Sequence, residues 1–279
     1  MFFKLFFCTL AHMKNLFFLF LLCYNVISFG QNQKIVITRI DSLEFVAQNF
    51  IGIDSYGNYF YENENVLYKK TPTSILQYQN ISLGKIKKID IINPLKVLVF
   101  YENFNTAVLL DNQLNEIQKI DFSNPEIADG KSILATAIGL SGQNKMWIFN
   151  TNEQQISLYD FGTQKIKNIG IPLQQNFTYY QTDFNTFQWI DSQNNWFSCS
   201  IFGEISFNEK IDSFDEIQIL ENKNLLFTKE NLLFYKNGST NQLYEIETIE
   251  KSFKKFYYKD QILSIFTIKG ITNYKIIIP

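Results

Sequence analysis

Carboxylates are the side chains of this sequence most readily assigned a chemistry. Asp54, Asp90, Asp111, Asp160, Asp183, Asp191, Asp212 and Asp215 recur along the chain, and two carboxylates flanking a sugar suffice for glycoside hydrolysis. Most of these residues stand beside turn formers, as in Asp54-Ser55-Tyr56-Gly57-Asn58 and Asp191-Ser192-Gln193-Asn194-Asn195. There an Asp side chain accepts hydrogen bonds from amides a few residues on, and its presence needs no catalytic reason. No alternating D-x-D-x-D-G calcium loop occurs, and neither a metal site nor a cofactor is expected.

Aromatic residues are the second candidate set. Trp147, Trp189 and Trp196 fall in or beside apolar runs. Core packing between sheets accounts for them; a stacking platform for sugar or peptide is the alternative. Tyr179, Tyr180, Asp183 and Phe184 follow Pro172 in a stretch without clear periodicity, which places them on an exposed rim, where loops carry binding surfaces. Tyr179, Tyr180, Asp183 and Trp189 form the candidate binding set. Cys199, inside the alternating run NWFSCSIF, reads as a buried small hydrophobe rather than a reactive thiol. Lys251, Lys254 and Lys255 interleave with Phe253, Phe256 and Tyr257 and read as a solvated strand face.

What removes most enzyme designs is the start of the chain. Met13-Lys14-Asn15, an apolar run of about twelve residues, and Ser28-Phe29-Gly30 before Gln31 have the layout of a secretory signal peptide over 1–30, cleaved between Gly30 and Gln31, with the true start at Met13. An uncleaved anchor is the alternative. Cleavage takes away the sole His, His12, and two of the three Cys, Cys8 and Cys23. The remaining 249 residues keep 23 basic and 27 acidic residues, a net charge of −4, with Arg39 as the single Arg. Ser-His-Asp and Cys-His catalysis, zinc sites and disulfides are then excluded. The mild acidity also argues against nucleic acid, which needs clustered basic residues.

The elements that must position these residues are strands. Phe, Tyr, Ile and Asn dominate 31–279, a composition suited to pleated surfaces and tight turns, and no stretch beyond the leader holds a helical period. Turn clusters precede apolar strands at 54–58, 92–96, 141–145, 191–195 and 229–231. Further hairpin tips near Pro72, Asn112, Gly162, Gly203 and Gly238 fall about 41 residues apart on average, the period of four-stranded propeller blades. ENENVLYKK matches KENLLFYKN, and VLLDNQLNEIQKI matches SLYDFGTQKIKNI. The expected fold is an all-β propeller of about six four-stranded blades, forming one domain over 31–279; five or seven blades are the alternatives. Because 251–278 supplies only three strands, the N-terminal strand Lys34–Ile40 is expected to complete the last blade and close the ring.

The segments IDSYGNYFYENENVLYKK, INPLKVLVFYENFNTAVLLDNQLNEIQKIDF and KSFKKFYYKDQILSIF resemble the exported β-propeller repeat proteins of flavobacteria. That resemblance covers most of the mature chain and implies a fold but no activity. Asp41-Ser42-Leu43 resembles the site at which related bacteria attach O-linked glycans, with Ser42 as the acceptor. The expected function is therefore non-catalytic: a periplasmic or outer-membrane-associated module that binds or scaffolds an envelope protein partner, touching membrane only through its leader. A carbohydrate-binding or carbohydrate-active protein using paired carboxylates is the alternative.

Overall fold

A computed structural model describes residues 33–173, 176–247 and 253–279. The predicted leader and the Gly30–Gln31 cleavage site lie outside them. Two N-terminal strands, β1 (Gln33–Val36) and β2 (Thr38–Glu44), precede six sequential sets. The first blade is β3 (Asn49–Ile53), β4 (Tyr59–Asn63), β5 (Val66–Lys70) and β6 (Ile75–Tyr78); the second is β7 (Lys88–Asn93), β8 (Lys96–Tyr101), β9 (Thr106–Asp111) and β10 (Glu116–Asp121). The third is β11 (Ala135–Ser141), β12 (Lys145–Asn150), β13 (Gln155–Asp160) and β14 (Lys165–Asn168). The fourth is β15 (Phe177–Thr182), β16 (Thr186–Asp191), β17 (Asn195–Ser200) and β18 (Ile205–Lys210). The fifth is β19 (Glu216–Ile219), β20 (Leu225–Lys229), β21 (Leu232–Lys236) and β22 (Leu243–Glu247), and the sixth is β23 (Lys255–Lys259), β24 (Ile262–Thr267) and β25 (Gly270–Lys275). Each set is an antiparallel meander.

The six sheets form a ring, a six-bladed β-propeller, with the first strand of each blade innermost. β3, β7 and β11 pack in succession, as do β11 and β15, β19 and β23, and β23 and β3. Gln181 bonds the backbone of Ile219 and so joins β15 to β19. Each meander starts on one face of the ring, here called the entry face. That face also carries the turns between second and third strands, while turns 1–2 and 3–4 lie on the opposite face.

Six buried clusters, one between each pair of consecutive blades, make up the core. A middle strand is covered on both sides by neighbouring sheets. That is why β8 (KVLVFY) and β12 (KMWIFN) are continuous apolar runs rather than alternating ones. Outermost strands such as β14 (KIKN) face solvent and alternate with Lys. The three tryptophans are buried in these layers, as expected for core residues.

Closure differs in detail from the single N-terminal strand read from the sequence. β2 pairs antiparallel with β25 and completes the sixth blade, whereas β1 pairs parallel with β22 as a fifth strand of the fifth blade. Ile37 lies between the two strands and, with Ile35, is 7% exposed in the core shared by those blades. One apolar pair thus tacks the chain to two blades.

The tips at Pro72, Asn112, Gly162, Gly203 and Gly238 are all 3–4 turns, as their even spacing suggested. The other turn series slips. Those at 54–58, 92–96 and 141–145 are 1–2 turns, but 191–195 and 229–231 are 2–3 turns. The stretch after Pro172 that looked irregular contains β15, the innermost strand of the fourth blade.

Candidate functional site

The ring encloses a central channel, part of a cavity of about 1200 Å³ that also reaches residues of β17, β18 and β21. An innermost strand has one edge paired to its blade and one facing the axis, where its amides and carbonyls need other partners. Side chains of neighbouring blades supply them. Gln181 Nε2 donates to the Ile219 carbonyl at 2.7 Å while its Oε1 accepts from the Ile219 amide at 3.0 Å. Gln218 does the same for Tyr258 at 2.7 and 2.8 Å. Asp90 Oδ2 accepts from the Leu140 amide at 2.7 Å, and the Tyr257 hydroxyl donates to the Ile53 carbonyl at 3.3 Å. Gly139 has no side chain because a Cβ there would lie 1.9 Å from Thr182 Oγ1.

Charged groups share this channel. Lys88, Asp90, Glu216 and Lys255 line it, with Tyr179 and Tyr257. The Lys88 ammonium lies 5.1 Å from the Tyr180 ring centroid, and Lys255 Nζ donates to Asn49 Oδ1 at 3.3 Å. Burial lowers the pKa of Lys88 against the pull of Asp90. Burial and the Lys88 charge lower that of Lys255 against the pull of Glu216. Burial pushes the Asp90 carboxyl up, opposed by the amides of Ile92 and Leu140 and by Lys88. The Tyr257 phenol is pushed up to about 12 by burial, then by Asp90, Asp260 and Asp54.

The structure relocates the sequence-derived candidates. Tyr179 and Tyr180 lie on β15 rather than on a rim loop. The Tyr179 hydroxyl donates to Gln181 Oε1 at 2.8 Å, and the Tyr180 hydroxyl accepts from the Ile138 amide at 3.4 Å. Asp183 caps the 1–2 turn of its blade, accepting from the amides of Asn185 and Thr186 at 2.7 and 2.8 Å. Trp189 is 4% exposed, its indole stacked on Phe197 at 5.4 Å, so it presents no ring to a ligand. Phe184 alone of this group is an exposed aromatic, at the opposite-face mouth. Ser42 is exposed on β2, where its hydroxyl accepts from Arg39 at 2.8 Å. Lys255 and Tyr257 line the channel instead of a solvated face. Lys251 lies outside the described residues.

The remaining carboxylates are mostly structural. Asp54, Asp111 and Asp191 each accept from the amides two and four residues on and from an Asn side chain four residues on. Among the described residues no cluster of three or more His, Cys, Asp or Glu could hold a metal ion.

This is the architecture of a six-bladed propeller whose channel is polar and whose blades are locked edge to edge by side chains. Solved structures of the same fold include virginiamycin B lyase from Staphylococcus aureus, 14% identical with TM-score 0.57 over 90% of this chain and 97% of that one. The β-propeller domain of Cps50 (Swd1) from Myceliophteria thermophila is 8% identical with TM-score 0.56, over 86% of this chain and 100% of that one. YCF48 bound to D1 peptide is 11% identical with TM-score 0.50, over 82% and 78%. At these identities the likeness is one of fold. No protein-family model matches the chain, and no characterised relative matches its sequence.

Proposed function

We propose that this chain is an exported propeller that binds a protein partner through one face of its ring and carries out no chemistry of its own. The observation that carries the reading is that the residues suited to chemistry are already committed to structure. Asp90 is held by two backbone amides, most other aspartates cap turns, and the tryptophans are buried. By contrast, large apolar side chains stand exposed on the ring faces. Val46, Ile81 and Ile268 on entry-face turns are 80%, 82% and 76% exposed, and Phe202 on the opposite face is 87% exposed. Exposed apolar groups on the loops of a rigid scaffold are the usual material of protein interfaces.

Two of the fold relatives bear on this. YCF48 has been solved bound to D1 peptide, and peptide binding needs no catalytic residue. One of the lyase structures is of a variant made catalytically inactive by replacing a histidine with alanine; here the sole histidine, His12, falls in the predicted leader. The tryptophans on which a carbohydrate platform would rest are buried.

Affinity purification of the tagged full-length chain from envelope fractions is the test. A stoichiometric protein partner is the expected result. Recovery of the chain alone, or of the chain in the cytosol, would overturn the proposal.

A further inference from the structure

The six innermost strands begin at the entry face with Asn49, Lys88, Ala135, Phe177, Glu216 and Lys255. Since β23, β3 and β7 are consecutive around the ring, Lys255, Asn49 and Lys88 occupy one arc of the channel mouth. Lys88 and Lys255 are close enough for their charges to repel. Neither ammonium has a carboxylate within ion-pair distance among the described residues. Lys88 has no hydrogen-bond acceptor there either: it touches only the face of Tyr180, leaving three donors unfilled. Lys255 has one acceptor, Asn49. The neighbouring Asp90 carboxylate accepts from the Ile92 amide at 2.9 Å and the Leu140 amide at 2.7 Å and makes no ion pair with either lysine among the described residues. Asp90 and Glu216 offset the two charges through space without forming an ion pair with either ammonium, so the lysine donors stay open to an anionic acceptor.

We propose that the entry-face mouth of the channel is a carboxylate-binding site, in which Lys88 and Lys255 donate, Asn49 positions Lys255, and the ligand is an acidic side chain or chain terminus of the partner polypeptide. This rests on the protein-binding reading and selects the face: the mouth opens on the face that carries Val46, Ile81 and Ile268, whereas at the opposite end of the cavity Lys223 and Lys259 share the lining with Asp183, Glu221 and Asp260. The cavity of about 1200 Å³ that includes the channel is large enough for several residues of an extended chain. Lys88 and Lys255 thus become binding residues of the mouth, and Asn49 a positioning one.

The test uses the mature full chain with two octapeptides, one of alternating Glu and Gly and one with Gln in place of Glu, and sodium succinate as the small carboxylate. The Glu peptide is expected to bind at least about tenfold more tightly than the Gln peptide, since charged hydrogen bonds exceed neutral ones by that order. Lys88→Gln and Lys255→Gln should each weaken it about tenfold or more, without lowering the melting temperature. Equal affinity for the two peptides, or affinity unchanged in both variants, overturns the site. Lysine-dependent binding of succinate without binding of the Glu peptide overturns the polypeptide source. If either variant fails to fold, the wild-type chain still decides: the Glu peptide should protect Lys88 and Lys255 from amine acylation, read by mass spectrometry, and absence of protection sinks the proposal. Envelope purification with the double variant separates the two claims. A partner retained by that variant removes the site but keeps the protein-binding reading, and no partner with the wild type removes that reading.

Discussion

Asp191 illustrates what one carboxylate does here. Burial alone would raise its pKa, but the Asn195 side chain and the amides of Asn195 and Gln193 outweigh burial and hold it below the usual range. The hydrogen bonds from Asn115 and Gln113 lower Asp111 in the same way. A folded-state pKa below the unfolded one adds stability above the unfolded value, and that stability is lost as pH falls through the folded value. Thermal stability of the wild type should therefore decline below about pH 4, and less steeply in Asp191→Asn. Equal acid limbs in the two proteins would contradict this. Replacing Asp191 with Ala at neutral pH should cost about 1–3 kcal/mol, the range for leaving buried donors unpaired, measurable by urea titration. Cys199 gives the opposite case: burial pushes its thiol up to about 11. It should resist thiol reagents at pH 8 in the native protein and react on unfolding; native labelling would sink the assignment. These roles were legible from sequence because each depends on near neighbours in the chain, an Asn four residues after an Asp or an alternating run around a Cys. The channel lysines were not, since Lys88 and Lys255 matter only once β7 and β23 are known to be innermost.

At the scale of the strand, the inner seam decides which hairpin goes where. β19 offers its Ile219 amide and carbonyl to Gln181, and β23 offers those of Tyr258 to Gln218. The side-chain amide substitutes for a missing neighbouring strand. Gln218→Ala should leave two backbone groups of β23 unpaired and cost about 1–3 kcal/mol, whereas Gln218→Glu should recover only the half of the bond that the amide of Tyr258 donates. Unfolding free energies of the two variants check this. Gly139→Ala should be at least as harmful, because its Cβ would collide with Thr182 and the strands would have to part. The strands themselves were readable from their apolar runs, yet their order within the fourth and fifth blades slipped by one hairpin. β15 (FTYYQT) shows the reason: it faces the channel and the Phe187–Trp189 layer at once, so polar and aromatic residues mix and the apolar pattern that marks β8 or β12 is absent.

For the molecule as a whole, closure is the feature that fixes stability. The cluster between the sixth and first blades contains five buried residues, against sixteen between the second and third, so β2, which leads directly from one of those blades to the other, strengthens the thinnest seam. Deleting 33–36 should lower the melting temperature moderately, since it removes Ile35 from the core shared by the fifth and sixth blades, and the burial of such a side chain contributes about 1.5–3 kcal/mol. Deleting 33–44 should lower it much further by stripping the sixth blade of its outer strand. Calorimetry giving equal losses for the two deletions would refute the two-blade arrangement. The closing strands also reverse the order of use relative to the order of synthesis. Asn273 donates to Asp41 across 232 residues of sequence, so the earliest part of the ring to be made is the last to find its place, and it waits as a strand without a sheet. A waiting strand invites pairing with other chains. Thr38, Arg39, Asp41, Ser42 and Glu44, all exposed in the finished blade, make β2 a poor partner for strangers while it waits; its polar sequence protects the yield of folding before the ring exists.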